Sequence, residues 1–319
     1  MTSSVLVFGA GAIGAFYGSR LALVPSLRVS VVCRSNFKAV REGGFNVESS
    51  QYGNSNWRPH QVFGKPADAR GKWDYIVVST KALPDVSDDS KLLEGLVGDG
   101  TKIVLIQNGL GVEEPYVKRF PRAHVMSAVT IASCAQPEHG RIVHNRWTRI
   151  NVAPYKCKVG DQFVRWLQQA GIKDAKFDSE EKMQMLRWHK VAINAAMNPS
   201  SVLAGGCPNV DMARDDEMSR HLKGIMDEVL TTAIKVVGVA MPKEYATAEQ
   251  ILKSTQKNTS GSVPSMQQDW AGGKKMELEV ILGAPIRLAR EKGIEMPRLQ
   301  TTYSLIKMKQ ARRDGGSKL

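Results

Sequence analysis

Short runs rich in Val, Ile and Leu recur through the first half of the chain, separated by helical or loop segments. These runs show little alternation of polar and apolar residues, which is typical of parallel strands buried on both faces. Predicted strands cover residues 4–8, 28–33, 75–79, 102–106 and 124–127, and further β-like segments cover 140–144 and 148–152. Strands that alternate with helices indicate a doubly wound sheet.

The pattern changes near residues 177–181, and from there to Lys309 the apolar positions recur at helical spacing. Residues 178–181, Asp-Ser-Glu-Glu, put capping and acidic side chains at the start of a helix, where free backbone amides favour them. We therefore predict an α/β domain over residues 1–178 and an all-α domain with a C-terminal tail over residues 179–319.

The composition is that of a globular protein, with 42% hydrophobic and 24% charged residues. The longest apolar runs, such as residues 5–8 and 103–106, are far shorter than a membrane-spanning helix. Lys and Arg number 44 against 31 Asp and Glu, and the net charge of +13 favours anionic partners. Because no helix interleaves basic with aromatic residues, the expected partner is a small anion and not a nucleic acid or a membrane.

Four cysteines lie far apart and form no C-x-x-C pair: Cys33, Cys134, Cys157 and Cys207. This spacing argues against a zinc site and against a secreted disulfide framework. We expect free thiols in a reducing compartment, and no metal.

The sequence stops at Ser317-Lys318-Leu319, a tripeptide that the peroxisomal import receptor reads. We therefore predict binding to that receptor and a peroxisomal location. In a bacterial protein the same ending has no meaning, and the expected location is the cytoplasm.

A glycine-rich turn follows the first predicted strand, and it reads Gly9-Ala10-Gly11-Ala12-Ile13-Gly14. An apolar helical pattern follows, and strand, G-x-G-x-x-G and helix in this order indicate a dinucleotide-binding, Rossmann-type domain. Gly9 permits the tight turn, Gly11 lets the backbone approach the pyrophosphate, and Gly14 allows close helix–strand packing. The start of the helix offers free amides to the phosphates. All six residues are predicted to bind the cofactor; the alternative is a glycine-rich turn without a ligand.

The end of the second predicted strand distinguishes between two dinucleotides. An NAD enzyme places an acidic residue there to hold the ribose 2′-hydroxyl. This chain has Arg34, Ser35 and Asn36 instead. A guanidinium matches a 2′-phosphate through paired hydrogen bonds, and the neighbouring side chains can add neutral ones. NADPH is therefore the predicted cofactor, bound by Arg34; the alternative is a solvated surface arginine.

The segment LRWHKVAINAAMNPSS carries polar side chains at a spacing of four: Lys190, Asn194 and Asn198. On a helix they lie within about 80° of one face. Burying them without partners is costly, which points to a polar site, whereas a stripe facing solvent is the alternative. Pro199 disfavours helical geometry at Asn198, so we predict that the helix ends there. His189 lies about 100° from Lys190 and is predicted to pack or to face solvent.

Several further short sequence motifs occur in a characteristic order and at characteristic distances along the chain: Thr80-Lys81-Ala82, Gln107-Asn108-Gly109, Cys207-Pro208-Asn209, Ser265-Met266-Gln267-Gln268-Asp269 and Glu277-Leu278-Glu279. With the glycine-rich turn and Lys190, they resemble the ketopantoate reductase (2-dehydropantoate 2-reductase) family over essentially the whole chain. That resemblance implies NADPH-dependent reduction of 2-dehydropantoate to pantoate.

The resemblance also implies roles for individual residues. Lys190 is implied to be the general acid that protonates the carbonyl oxygen, and Glu277 the carboxylate that holds substrate and lysine. Lys81 and Asn108 are implied to bind on the nicotinamide side of the cofactor. The implied substrate-binding set is Asn194, Asn198, Asn209 and Ser265, with the serine at the substrate carboxylate.

Reduction of a ketone by hydride independently requires such a set, because the developing alkoxide must be neutralised by a cation or a proton donor. A burial-lowered lysine pKa would suit this role, whereas a nearby carboxylate favours the charged form. We therefore expect Lys190 to be protonated before turnover.

Three positions depart from the family pattern, and all touch the substrate end. Ser262 stands where an asparagine is frequent, Pro264 where a second serine is common, and Leu282 where a polar residue often precedes a glycine. The alternatives are therefore a paralogous reductase of another 2-keto acid and a non-catalytic NADPH-binding sensor. A homodimer is one of the assemblies open to the chain, whose oligomeric state the sequence does not determine.

Overall fold

The computed structural model describes residues 2–315, which form two compact units. The first unit comprises the chain up to Lys81 together with Asp88–Gln107 and Val112–Met183. The second comprises Ala82–Ser87, Asn108–Gly111 and the chain from Gln184 onward. Two short segments between strands of the first unit therefore belong to the second.

Two predictions, the domain boundary and the cellular location, are not tested by the described residues. The boundary between residues 178 and 179 stays a prediction. Ser317-Lys318-Leu319 lies outside the described residues, so the peroxisomal location also stays a prediction.

The first unit contains a ten-stranded sheet. Its strands are β1 (Ser3–Phe8), β2 (Leu27–Val32), β3 (Phe45–Ser49), β4 (Ser55–Trp57), β5 (Val62–Phe63), β6 (Tyr75–Val78), β7 (Lys102–Leu105), β8 (His124–Glu138), β9 (Arg141–Pro154) and β10 (Asp174–Phe177). Their order is β4-β3-β9-β8-β7-β6-β1-β2-β5, and β10 pairs with β9. Neighbours from β8 to β5 run parallel, so the carboxyl ends of β1, β2, β6 and β7 lie at one edge of the sheet.

The predicted parallel strands are confirmed except at one side of the sheet. β8 and β9 form a long antiparallel pair, and the segments predicted at 140–144 and 148–152 are a single strand. Thr148 pairs with Ala132 while Arg146 pairs with Ser133, which leaves Trp147 as a bulge with a φ of 58°. Because the bulge interrupts the alternation of side chains, the sequence pattern appears as two segments. The short strands β3, β4, β5 and β10 were not predicted.

Helices pack on the sheet of the first unit: α1 (Ala12–Leu21), α2 (Phe37–Gly43), α3 (Glu114–Arg119) and α4 (Gln162–Gln169). α1 buries Ala15, Phe16, Tyr17 and Leu21 in the same core as Val5 of β1. The apolar face of this helix therefore fixes the position of its N-terminus, where the glycine-rich turn ends.

The second unit is helical, which confirms an all-α region after the sheet. Its helices are α5 (Glu180–Leu203, whose first turn lies in the first unit), α6 (Asn209–Arg214), α7 (Asp216–Val237), α8 (Ala248–Gln256), α9 (Ser265–Ala271), a π-helix (Glu279–Gly283), α10 (Ala284–Arg290) and α11 (Pro297–Arg313). α7 buries Leu222, Ile225, Met226 and Val229, an apolar stripe at helical spacing. Of the helices in residues 2–315, none has the length and apolarity needed to cross a membrane.

The start of α5 is as predicted, but its predicted end is wrong. Ser179 directly precedes the helix, and its Oγ accepts from the N–H of Lys182 in the first turn at 3.3 Å. At the other end the helix continues through Pro199 to Leu203. A proline inside a helix removes one backbone hydrogen bond and costs about 3 kcal/mol. In the last turn Ser201 and Val202 are buried, and Ser201 Oγ donates to the Cys207 carbonyl oxygen at 2.6 Å. These tertiary contacts outweigh the local preference of the proline.

Candidate active site

The glycine-rich turn leads from the carboxyl end of β1 into α1. Gly9 has a φ of 96°, a left-handed conformation that glycine adopts at no steric cost. A Cβ at Gly9 would lie 2.7 Å from the backbone nitrogen of Thr80. A Cβ at Gly14 would lie 2.3 Å from Ser79 Oγ and 2.4 Å from the Gly9 carbonyl oxygen. The absence of side chains at both glycines therefore allows α1 to pack closely against the sheet.

Gly11 meets a different environment, because a Cβ built there has no heavy atom within 4 Å. It directly precedes α1, whose first backbone N–H groups have no partner within the helix. Open space in front of such amides is what the pyrophosphate of a dinucleotide requires. Residues 9–14 thus fit a dinucleotide, and the individual contacts predicted for them remain predictions.

The residues that follow β2 divide into a buried asparagine and two exposed side chains. Asn36 is buried, and its Nδ2 donates to the Ala10 carbonyl oxygen at 2.8 Å. This bond ties the glycine-rich turn to the end of β2. Arg34 and Ser35 are exposed. Recognition of a 2′-phosphate would therefore rest mainly on Arg34 and Ser35, with Asn36 supporting the turn.

Three side chains that are distant in sequence form a hydrogen-bonded chain in the second unit, here called the Lys190 cluster: Lys190, Asn108 and Glu277. Lys190 Nζ donates to Asn108 Oδ1 at 2.9 Å, and Asn108 Nδ2 donates to Glu277 Oε2 at 3.2 Å. The other carboxylate oxygen of Glu277 accepts from the Ala82 N–H at 3.2 Å. Glu277 is only 6% exposed. Asn108 therefore links a buried carboxylate to an ammonium group.

Asn108 is held in this position by the turn that follows it. Gly109 has a φ of 90°, and a Cβ there would lie 2.4 Å from the Val280 Cβ. The Leu110 N–H donates to the Val280 carbonyl oxygen at 2.9 Å. Val280 belongs to the π-helix that begins two residues after Glu277, and π-helical turns are frequent at functional sites. The turn and the π-helix together bring Asn108 to Glu277.

The electrostatic surroundings of Lys190 suit a proton donor. Its pKa is lowered from 10.5 to about 8, first by burial and second by the positive charge of Arg187, while Glu277 acts in the opposite direction. A pKa close to neutral pH combines a mostly protonated ground state with ready release of the proton.

The residues of the implied substrate-binding set are spread over three helices of the second unit. Asn194 and Asn198 lie on α5, one and two turns after Lys190, as the spacing predicts. Asn209 begins α6 and Ser265 begins α9, where the serine is exposed. Within residues 2–315, the buried atoms Asn198 Nδ2 and Asn209 Oδ1 have no hydrogen-bond partner. Such buried polar atoms are costly unless a ligand or water bonds them, so they are suited to a polar substrate.

Two other sequence predictions concern the surroundings of these groups. His189 packs as predicted, since its ring lies 5.1 Å from that of Tyr245 and its Nε2 is 2.8 Å from the Ala246 carbonyl oxygen. Lys81 lies in the first unit and is exposed. Its contact with the cofactor remains a prediction.

The structure adds three groups that the sequence interpretation missed. The Ala82 N–H binds Glu277, Arg187 donates to the Gly109 carbonyl oxygen, and Gln267 has a buried Oε1 without a partner in the described part of the chain. Arg187 had a signal, because it lies three residues before Lys190 and therefore on the same helix face. Ala82 and Gln267 stand in two of the motifs that carry the family resemblance, but a motif does not indicate which backbone or side-chain atom makes a contact.

The three departures from the family pattern have structural counterparts. The Ser262 carbonyl oxygen accepts from the Asn209 N–H at 3.1 Å. Pro264 directly precedes α9, and Leu282 is fully buried in the π-helix. Ser262 therefore bonds the backbone of Asn209, and Pro264 adjoins Ser265, whereas Leu282 belongs to the core of the π-helix.

Known proteins match the chain over almost its whole length. Residues 5–156 match the family model of ketopantoate reductase PanE/ApbA, and residues 182–310 match the model of its C-terminal part. The sequence of 2-dehydropantoate 2-reductase from Methylococcus capsulatus is 31% identical to this chain. Its crystal structure superposes on this one with a TM-score of 0.86 over 97% of both chains.

Two further proteins extend this comparison. Uncharacterized protein YDL144C of Saccharomyces cerevisiae is 30% identical, over 97% of this chain and 94% of its own. D-mandelate dehydrogenase, solved with NADH and anilino(oxo)acetate, is 16% identical with a TM-score of 0.80 over 98% of this chain and 99% of its own, so it shares the fold.

The fold and these matches define an oxidoreductase with a Rossmann-type N-terminal domain and an all-α C-terminal domain. Within that class, the chain belongs to the ketopantoate reductase family.

Proposed function

We propose that this protein reduces the ketone of 2-dehydropantoate to pantoate with NADPH. The observation that carries the proposal is the Lys190 cluster, in which an ammonium of lowered pKa is bonded through Asn108 to the buried carboxylate of Glu277. The name of the Methylococcus capsulatus protein, at 31% identity, supports the substrate. The empty space around Gly11 and the exposed position of Arg34 support NADPH as the cofactor.

In this mechanism the protein supplies the proton and the electrostatic setting. NADPH, when bound, supplies the hydride. Lys190 donates a proton from Nζ to the carbonyl oxygen as negative charge builds there. Asn108 Oδ1 holds one ammonium hydrogen and thereby orients the group, while Glu277 limits the loss of the proton before substrate binds. Ser265 binds the substrate carboxylate, and Asn194, Asn198 and Asn209 bind its other polar groups.

A paralogous reductase of another 2-keto acid is the second candidate. It is favoured by Ser262, Pro264 and Leu282, which alter the substrate end and leave the cofactor turn unchanged. A non-catalytic NADPH sensor is the third, but it would need no proton donor, and the chain has both Lys190 and Glu277.

The deciding experiment is an assay of the purified full chain that follows NADPH absorbance with a panel of 2-keto acids. We expect 2-dehydropantoate to have the highest kcat/KM of the panel. A different keto acid with the highest value would establish the paralogous reductase. Tight binding of NADPH without turnover of any keto acid would establish the sensor.

The pH dependence of kcat follows from the Lys190 pKa of about 8. Above this pH the ammonium loses its proton, so kcat is expected to fall about tenfold for each further pH unit. Below it the lysine stays charged and contributes no decline. A kcat that stays constant up to pH 10 would contradict a proton donated by Lys190.

Reversing the charge at Arg34 tests the preference for NADPH. In Arg34→Glu the guanidinium is replaced by a carboxylate that repels a 2′-phosphate, so kcat/KM for NADPH is expected to fall about 10- to 100-fold. The value for NADH should change little or rise. Arg41→Glu, an exposed arginine of α2, makes the same change in net charge and should leave the NADPH:NADH ratio unaltered. An equal loss with both cofactors would remove Arg34 from the 2′-phosphate site.

A further inference from the structure

A buried arginine lies one helical turn before Lys190. Arg187 is 2% exposed and belongs to α5, and residues three apart on a helix lie on the same face. Its Nη1 donates to the Gly109 carbonyl oxygen at 3.1 Å. Gly109 directly follows Asn108, the residue that accepts from Lys190. One face of α5 therefore bonds two consecutive residues of one turn.

The bond from Arg187 attaches the backbone of the turn that carries Asn108, in addition to the side-chain bonds of Asn108 itself. The turn is also attached by the hydrogen bond from Leu110 to Val280 and by the close contact of Gly109 with Val280. These two attach the turn to the π-helix near Glu277, whereas Arg187 attaches it to α5 near Lys190. The turn is thus held to both of the elements that its asparagine bridges.

A neutral donor such as glutamine could make the same bond to a carbonyl oxygen. A guanidinium also brings a permanent positive charge into the interior, which is costly to bury. Two charged groups act on the Lys190 ammonium in opposite directions: Arg187 from its own helix and Glu277 from the segment after α9. The charge of Arg187 thus has an effect that the hydrogen bond alone does not explain.

We propose that Arg187 is a positioning residue of the reductase site, which fixes the Asn108 turn against α5 and whose charge counteracts Glu277 so that Lys190 releases its proton readily. This inference rests on the proposed role of Lys190 as the proton donor. The direction of the Lys190 pKa agrees with it, since Arg187 lowers that pKa in addition to the larger effect of burial.

Two substitutions separate the charge of Arg187 from its geometry. Arg187→Met removes both the charge and the bond to Gly109. Arg187→Lys keeps a positive charge but loses the planar guanidinium. The matched control is Arg214→Met, because Arg214 is an exposed arginine of the same unit that donates to the Gln256 carbonyl oxygen.

The test is an NMR titration of Lys190 in the full-length protein labelled with ¹³C-lysine, assigned by comparison with Lys190→Met. In Arg187→Met the Lys190 titration is expected to move upward by about one pH unit, and the decline of kcat at high pH should move with it. In Arg187→Lys and Arg214→Met the titration should stay where it is in the native protein. An unchanged titration in Arg187→Met would overturn the inference about charge.

Steady-state kinetics test the positioning role. The loosened Asn108 turn is expected to lower kcat about tenfold in both Arg187 variants at their best pH, with the KM for NADPH unchanged. A kcat equal to that of the native protein in Arg187→Lys would overturn the positioning role. NADPH binding and thermal unfolding confirm that each variant is folded.

The titration does not depend on turnover, so the two proposals fail separately. If the native protein reduces no keto acid but the titration moves in Arg187→Met, the proposed function fails and the effect of the Arg187 charge stands. If keto acid is reduced and the titration does not move, only the inference about Arg187 fails.

Discussion

Lys190→Met is expected to lower kcat for keto-acid reduction by about 100- to 10,000-fold, the usual contribution of a positioned general acid. Methionine keeps an unbranched side chain of similar length but has no proton to give. The acceptor on Asn108 then loses its donor, while Glu277 keeps its bonds to Asn108 and Ala82. Steady-state kinetics at saturating keto acid and NADPH measure the effect.

NADPH affinity provides the internal control for this variant, because Lys190 lies in the unit that lacks the glycine-rich turn. The dissociation constant of NADPH should stay within about twofold, a change of less than 0.5 kcal/mol. Lys223→Met is the matched variant, since Lys223 is an exposed lysine of α7 paired with Asp227. A Lys190→Met protein that keeps most of its kcat would end the general-acid role.

Glu277→Gln is expected to lower kcat/KM by about 10- to 100-fold, because it removes the buried negative charge without changing the size of the side chain. The Glu277 charge raises the pKa of Lys190, so its loss should move the decline of kcat toward lower pH. This shift is opposite in sign to the one expected for Arg187→Met. A pH–rate profile of the purified variant, measured from pH 5 to 10, distinguishes the two.

Glu279→Gln is the matched control for Glu277→Gln. Glu279 lies two residues further along, and its carboxylate binds Arg287, Lys307 and Tyr303. Its substitution should lower the melting temperature but leave the high-pH decline of kcat in place. If both variants moved the decline equally, the effect of Glu277 would be a general loss of structure and not a specific interaction with Lys190.

Burial and two opposing charges together set the pKa of Lys190 at about 8, which suits its proposed role as a proton donor near neutral pH. Burial and Arg187 favour release of the proton, and Glu277 favours its retention. Asn108 is bonded to both the lysine and the glutamate and therefore fixes the direction of the ammonium. Because an amide carries no charge, it sets this geometry without altering the balance of charges.

Features that depend on neighbours in sequence were predictable from the chain alone. The glycine-rich turn is one, because it directly follows a strand and leads into the next helix of the chain. The common face of Lys190, Asn194 and Asn198 is another, since it follows from the period of the helix. The predicted end of this helix at Asn198 was wrong because burial of the last turn outweighed the local effect of Pro199.

The sequence by itself determined the class of each region, the glycine-rich turn and the face of α5 that carries Lys190, because these depend on hydrogen bonds and packing within a few turns of chain. Only the tertiary structure decided that Asn108 bridges Lys190 and Glu277, which lie 82 and 169 residues from it. It also decided that Arg187 is buried beside them and that β8 and β9 run antiparallel. Contacts of this kind depend on how distant segments pack, and a pattern read along a single chain carries no record of that packing.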